Sequence, residues 1–290
     1  MIFNLGSINL DMVYGLVDLP KAGETVSADR FEKFLGGKGV NQSVAARAAG
    51  AKARHIGAVG PDGAWVLEQI TGFGLGLDDI AQVDNPTGHA IVAVDAKGEN
   101  QIIIMSGANT AIPEVWMEDK AGQMQPGDFA LCQNETNLTE DFARTVQNQG
   151  GKLVLSAAPF DATQVATLRP YVHLLAVNEG EAAELAQAFD QDPQDMGFPM
   201  LLVTKGSEGA TVYADGTAIF QPSFKVTPVD TTGAGDTFLG SFVARLDQGE
   251  DIPTALKYAA AASALQVTKP GAAAAIPSEV EVLTFLKEQS

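Results

Sequence analysis

The 290-residue sequence predicts an α/β fold: a doubly wound, mostly parallel sheet flanked by helices, with a small β-sheet lid. Three observations carry this expectation. From about residue 112 onward, short apolar runs alternate with helix-patterned stretches, the β–α–β rhythm of a doubly wound sheet. The first third instead holds β-like runs separated by turn residues. A hydroxyl- and glycine-rich stretch, "DTTGAGDTF" (230–238), joins a strand-like run to an apolar helix-like run.

Taken in order, "INLDMVYGL", "TVSADRFEKFL" and "GHAIVAVDAKGENQIIIM" are the β-like runs of the first third, and "DAKGEN" (95–100) is a hairpin signal. These strands lack intervening helices, so antiparallel pairing is expected, in a lid formed by segments of about 10–36 and 86–108. "FALCQNE" (129–135), "KLVLSAAP" (152–159), "VHLLAVN" (172–178) and "MLLVTKG" (200–206) read as buried parallel strands. Helices are expected between them, near 140–148, 162–168 and 179–188. "FKVTPV" reads as a strand before "DTTGAGDTF", and "FLGSFVARL" as a helix after it. No linker, repeat or long low-complexity run divides the chain, so residues 1–290 are expected to form one domain.

Formal net charge is −18, with acids spread along the chain. That argues against nucleic acid, whose phosphates need Lys and Arg, and against an anionic membrane surface. A small anionic ligand stays open, because backbone N–H groups and one or two lysines can hold a phosphate. No run approaches the roughly 18 apolar residues of a membrane span. The start lacks the basic and apolar regions of a signal peptide. The single cysteine, Cys132, permits no internal disulfide. A cytoplasmic protein is expected. His55, His89 and His173 are scattered without ligand spacing, so a zinc site is not expected.

In open α/β sheets, ligands bind at the carboxyl ends of the strands. Glu135, Asn178, Thr204, Gly206 and Asp230 each close one of the strand-like runs. A helix beginning near Ala234 leaves the N–H groups of Gly233, Ala234 and Gly235 unpaired, an anion hole with the helix dipole behind it. Asp236 falls in its first turn, and Phe238 and Phe242 anchor the helix in the core. A carboxylate beside such a hole suits proton abstraction from a hydroxyl while amides steady a transferring phosphoryl group. The competing reading makes Asp236 a helix stabiliser and Asp230 or Thr232 a cap. "GGKGVNQSVAARAAG" (36–50) places two glycines before Lys38 and a small-residue helix after it. It is not a phosphate-binding GxxxxGK[ST] loop. Asn41 offers both a donor and an acceptor. Asn178 with Glu181 also has the form of a capping box.

With these motifs the sequence resembles the ribokinase-like sugar kinases of the phosphofructokinase-B type. Both "GGKGVNQ" and "DTTGAGDTF" match in order and spacing, along with "GSINLD", "TGHAIVAVDAKGENQIIIMSGAN", "NEGEAAEL" and "VTKGSEG". The resemblance implies ATP-dependent phosphorylation of the primary hydroxyl of a small sugar, D-ribose to ribose 5-phosphate in the leading reading. Another acceptor (nucleoside, fructose, deoxyribose or sugar acid) and a non-catalytic sugar- or nucleotide-binding regulator are the alternatives. It implies Asp236 as catalytic base and Gly233, Ala234 and Gly235 as anion hole. Asn9, Asp11, Gly37, Lys38, Asn41 and Glu135 match sugar-contacting positions, and Asn178, Thr204 and Gly206 nucleotide-side positions. Glu181 matches a position that orders Mg2+ through water. Asp230 and the Thr232 carbonyl match ligands of an activating monovalent cation, K+. The lid is implied to close over the sugar and to form a homodimer. Two departures stand out: alanine at Ala259, on the adenine side, and Ala275, where a serine is usual beside the cation.

Overall fold

The computed structural model describes residues 1–289. In chain order the strands are β1 (Ile2–Leu5), β2 (Asn9–Gly15), β3 (Arg30–Gly36), β4 (Ala53–Val59), β5 (Ile80–Gln82), β6 (Gly88–Val94), β7 (Asn100–Met105), β8 (Phe129–Gln133), β9 (Lys152–Ser156), β10 (Val172–Asn178), β11 (Met200–Thr204), β12 (Gly209–Ala214) and β13 (Thr217–Pro222). The helices are α1 (Lys38–Ala48), α2 (Ala64–Gly72), α3 (Glu114–Ala121), α4 (Thr139–Asn148), α5 (Ala162–Leu168), α6 (Glu179–Phe189), α7 (Ala234–Asp247), α8 (Ile252–Gln266) and α9 (Glu279–Glu288). The large sheet runs β13-β12-β11-β10-β9-β8-β1-β4-β5 and is parallel except for the β11–β12–β13 edge. A separate sheet runs β3-β2-β6-β7.

Both faces of the large sheet are covered, which is why its central strands are mostly apolar. In β1, Phe3 and Leu5 pack with Met117, Phe142, Val165 and Leu185 of α3 to α6. Ile2, on the other face, packs with α7, α8 and α9 through Phe242, Leu256 and Val282. The alanines of α8 are all buried. Gly240 lets α7 come close to α1: a Cβ there would sit 2.4 Å from the Gln42 carbonyl oxygen. Among the described residues no helix is long and apolar enough to cross a membrane.

The four parallel strands and three helices expected after residue 112 are present, as is the helix after "DTTGAGDTF". Two expectations need correction. β2–β3 and β6–β7 pair antiparallel, but β2 and β6 are parallel, from Asn9 against Gly88 to Gly15 against Val94. The chain returns through α1, β4, α2 and β5 between them, the long crossover that parallel strands require. "FKVTPV" is not a strand. Val229 and Asp230 donate their N–H groups to the Val267 carbonyl at the end of α8 instead of to a sheet. β1, β4 and the β12–β13 hairpin are elements that the apolar-run reading passed over.

Candidate active site

β1 and β8 are neighbours, yet the chain leads from β1 outward to β4 and from β8 the opposite way to β9. Their carboxyl ends therefore open a crevice where strand order reverses. The N-terminus of α1 lies across it. Glu135, two residues past β8, accepts hydrogen bonds from the Ser7 hydroxyl and, at 3.2 Å, from the Lys38 N–H. Ser7 Oγ in turn accepts from the Gly39 N–H at 3.2 Å. The start of a helix favours a carboxylate there. Gly37, with φ +99, makes this approach possible, since a Cβ would fall 2.8 Å from the Ser7 carbonyl oxygen.

Asn9 and Asp11 come from β2. Asn9 Oδ1 accepts from Asn109 Nδ2 at 2.7 Å, and Asn109 Oδ1 accepts from the Ile8 N–H at 2.9 Å. The Asp11 carboxylate lies directly over Gly36, where a Cβ would come within 2.0 Å of it. Burial, helped by the negative charge of Glu135, pushes Asp11 up to about 6.

Asp236 is the third residue of α7, after Gly233 in the left-handed conformation (φ 76). Its Oδ2 accepts from Asn41 Nδ2 at 3.1 Å and its Oδ1 from Gln42 Nε2 at 3.0 Å. Burial raises its pKa, Lys38 and the two amides oppose this, and the outcome is about 6. Ala234 N–H turns toward the Thr231 carbonyl at 3.2 Å. Among the described residues, the N–H groups of Gly233 and Gly235 have no acceptor in the chain. The expected anion hole is therefore left to Gly233 and Gly235, with Ala234 partly engaged.

Two cavities join at this point. One, of about 560 Å³, is lined mostly by apolar groups including Phe224, Val226, Phe238, Ala260 and Ala264. The other, of about 190 Å³, is lined by Lys38, Asn178, Glu181, Gly233, Gly235 and Asp236. They share Thr204, Thr231, Ala234 and Gly235. Gly206 borders the larger one. Ala259, expected near the adenine, is fully buried in the core, and Ala260, Ser263 and Ala264 face the cavity instead. Asn9, Asp11 and Glu135 line neither cavity; they lie on the β1–β2 side of Lys38. Asn178 and Glu181 do form a capping box, with bonds of 2.9 and 2.8 Å. Burial holds Glu181 above the ordinary carboxylate range.

Asp230 and Thr232 lie behind the start of α7. Asp230 Oδ1 accepts from the Thr232 N–H and Oδ2 from the Gly271 N–H, each at 2.9 Å. Burial opposes ionisation of Asp230, yet these two amides overcome it and hold its pKa below the ordinary range. The Thr232 carbonyl accepts from Gln266 Nε2 at 2.6 Å. The oxygens implied as cation ligands thus already face N–H donors, and the residues here do not fit a bound monovalent cation. Among the described residues there is also no cluster of three or more His, Cys, Asp or Glu side chains for a metal.

The sequence reading missed a buried polar chain behind Asp236. Gln42 Oε1 accepts from Gln133 Nε2 at 2.8 Å, which also donates to Asn4 Oδ1 at 3.0 Å. Asn4 Nδ2 donates to Ser43 Oγ at 2.9 Å, and Ser43 meets His55 Nδ1 at 2.9 Å. Asn109 and Ser7 were missed as well. The signal for Asn4 and Gln133 was present: a polar residue inside a buried run, as in "IFNL" and "FALCQ", needs a partner.

An acidic group over unspent helix-terminal amides, between a polar crevice and a large apolar cavity, defines an enzyme that brings a small polar acceptor to a phosphate-bearing donor. The chain belongs to the pfkB family of carbohydrate kinases, whose model matches residues 1–279. It is an ATP-dependent sugar kinase. It is 34% identical to a ribokinase from Haemophilus influenzae over 298 residues, 98% of this chain and 97% of that one. Among solved structures it is similar to a ribokinase from Thermotoga maritima, with TM-score 0.88, 30% identity and 99% of each chain covered. It is likewise similar to an Arabidopsis thaliana ribokinase complexed with ribose and ATP, with TM-score 0.87, 30% identity, and 99% and 98% of the chains covered.

A carboxyl group whose pKa is raised on folding costs stability while ionised. For Asp236 that cost is fully present above about 6 and absent below the ordinary value of about 4. Asn41 Oδ1 is buried without a partner, so its amide can turn to accept from an introduced NH2 group. Asp236→Asn is expected to melt at a higher temperature than the parent at neutral pH, with the difference vanishing in acid. Calorimetry across pH checks this; a lower melting temperature at neutral pH contradicts it.

Proposed function

We propose that the enzyme transfers the γ-phosphoryl group of ATP to the primary hydroxyl of D-ribose, giving ribose 5-phosphate and ADP. The observation that carries this is the Asp236 carboxylate, held by Asn41 and Gln42 against the start of α7, beside the unspent amides of Gly233 and Gly235. The full-length similarity to ribokinases supports ribose as the acceptor.

Sugar hydroxyls meet Asn9, Asp11, Gly37, Lys38, Asn41 and Glu135. Sites built to pair hydroxyls reject analogues lacking one. Asp236 takes the proton of the attacking hydroxyl, and a pKa near 6 keeps it ionised and basic at neutral pH. Phosphoryl transfer is mostly positioning and charge stabilisation. Lys38 and the amides of Gly233 and Gly235 supply the chain's share of the second. The apolar cavity takes the adenosine, with Thr204, Gly206 and Asn178 toward its phosphates. Mg2+ prefers phosphate and water oxygens to an all-protein cage. Glu181, with one carboxylate oxygen committed to the Asn178 N–H, would reach its water shell, where the ion neutralises phosphate charge.

The four-stranded sheet serves as the lid, excluding water from the transfer. Its β7 edge exposes Ile102, Ile103, Ile104 and Met105 at 50% to 67%. An exposed apolar edge strand invites cover, and a second copy of the chain supplies it in a homodimer.

ADP release against a panel of ribose, deoxyribose, fructose, sugar acids and nucleosides tests the acceptor. Ribose should give the highest kcat/KM; a clear preference for another acceptor overturns ribose. Asp236→Asn should lose roughly a hundred- to ten-thousand-fold in kcat, and full retention removes Asp236 as base. Ile103→Lys should sediment as a monomer where the parent is a dimer; a monomeric parent ends the dimer proposal.

A further inference from the structure

Gln266 is the last residue of α8 and is fully buried. Its Nε2 donates to two carbonyl oxygens, Thr232 at 2.6 Å and Gly271 at 3.2 Å. The orientation of the amide is set by these neighbours, since turning it would press Oε1 against two other acceptors. Oε1 itself has no partner. The side chain is thus held by what its NH2 group does.

The two carbonyls come from different segments. Thr232 immediately precedes Gly233. Gly271 lies in the loop after α8, with φ +89. Asp230 completes the cluster, its carboxylate facing the N–H groups of the same two residues. The loop supports Gly233 directly, because Ala272 Cβ lies 3.0 Å from where a Gly233 Cβ would be. Two converging carbonyls beside a carboxylate need a positive counterpart. A ring of such oxygens suits a bare monovalent cation. In this chain the polarised NH2 group of Gln266 stands between the carbonyls instead. Ala275, buried nearby, offers no side-chain oxygen to enlarge the ring.

We propose that the Gln266 amide replaces the monovalent cation, so that the enzyme works without K+ or Na+. Gln266 is then a positioning residue: it ties α8 and the 268–275 loop to Thr232 and so sets the amides at the start of α7. The proposal rests on the kinase reading of that helix start for its effect on rate, but not for its effect on ion binding.

The test exchanges the protein into tetramethylammonium buffer and adds K+ or Na+ at constant ionic strength. Wild type should show the same kcat and the same melting temperature in all three ions. Gln266→Ala should lose roughly ten-fold in kcat in tetramethylammonium, with little change in sugar KM. K+ should restore its kcat and raise its melting temperature, because a ligand that binds only the folded state stabilises it. A K+-dependent rise in kcat or melting temperature of the wild type overturns the proposal. So does a Gln266→Ala variant that stays fully active without K+, or that K+ neither activates nor stabilises. Should Gln266→Ala fail to fold, the wild-type ion series decides alone. The melting arm needs no turnover, so it decides the ion question even if no sugar is phosphorylated.

Discussion

The arrangement of the site depends on one contact: the Asp236 carboxylate gripped by two amide side chains of α1. Asn41 and Gln42 reach it from across the α1–α7 packing, and Gly240 lets those helices approach. Two N–H donors favour the charged form, while removal from water opposes it. Burial wins by a margin that leaves the group titrating near 6. A carboxylate so placed is destabilising for the fold and useful for chemistry, the exchange of stability for activity common at active sites.

That grip is itself supported. Gln42 is fixed by Gln133, Gln133 by Asn4, and Asn4 by Ser43. These residues sit on β1, β8 and α1, the elements that meet at the switch in strand order. A buried chain of hydrogen bonds of this kind orients its members, with Gln133 Oε1 and His55 Nε2 left without partners. The sheet therefore supplies both the crevice and the orientation of the group at its floor. Gln266 plays a comparable part beside the start of α7, where it joins the segment before α7 to the loop after α8.

Much of this was legible in the sequence. The "DTTGAGDTF" stretch announced a helix start with an acid in its first turn, and α7 begins there, at Ala234. The strands from β8 to β11 were visible because burial on both faces makes them continuous apolar runs. Other features depend on partners remote in sequence. β1 is four residues long with Asn4 inside it, so no local periodicity marks it. The parallel β2–β6 pair follows from a crossover that local turn signals do not encode. "FKVTPV" alternates like a strand, yet no strand lies beside it, and Pro228 has no N–H to give a ladder. Gln42 stood one position from a chosen residue, and its role emerged only when α7 was placed against α1.

The most direct measurement is the pH dependence of kcat/KM for ribose in an Asp11→Asn background, which removes the other carboxyl raised to about 6. If Asp236 is the base, activity should fall about ten-fold per pH unit on the acid side, with a midpoint near 6. A profile that stays flat well below that midpoint would contradict the assignment of Asp236 as the group that takes the proton.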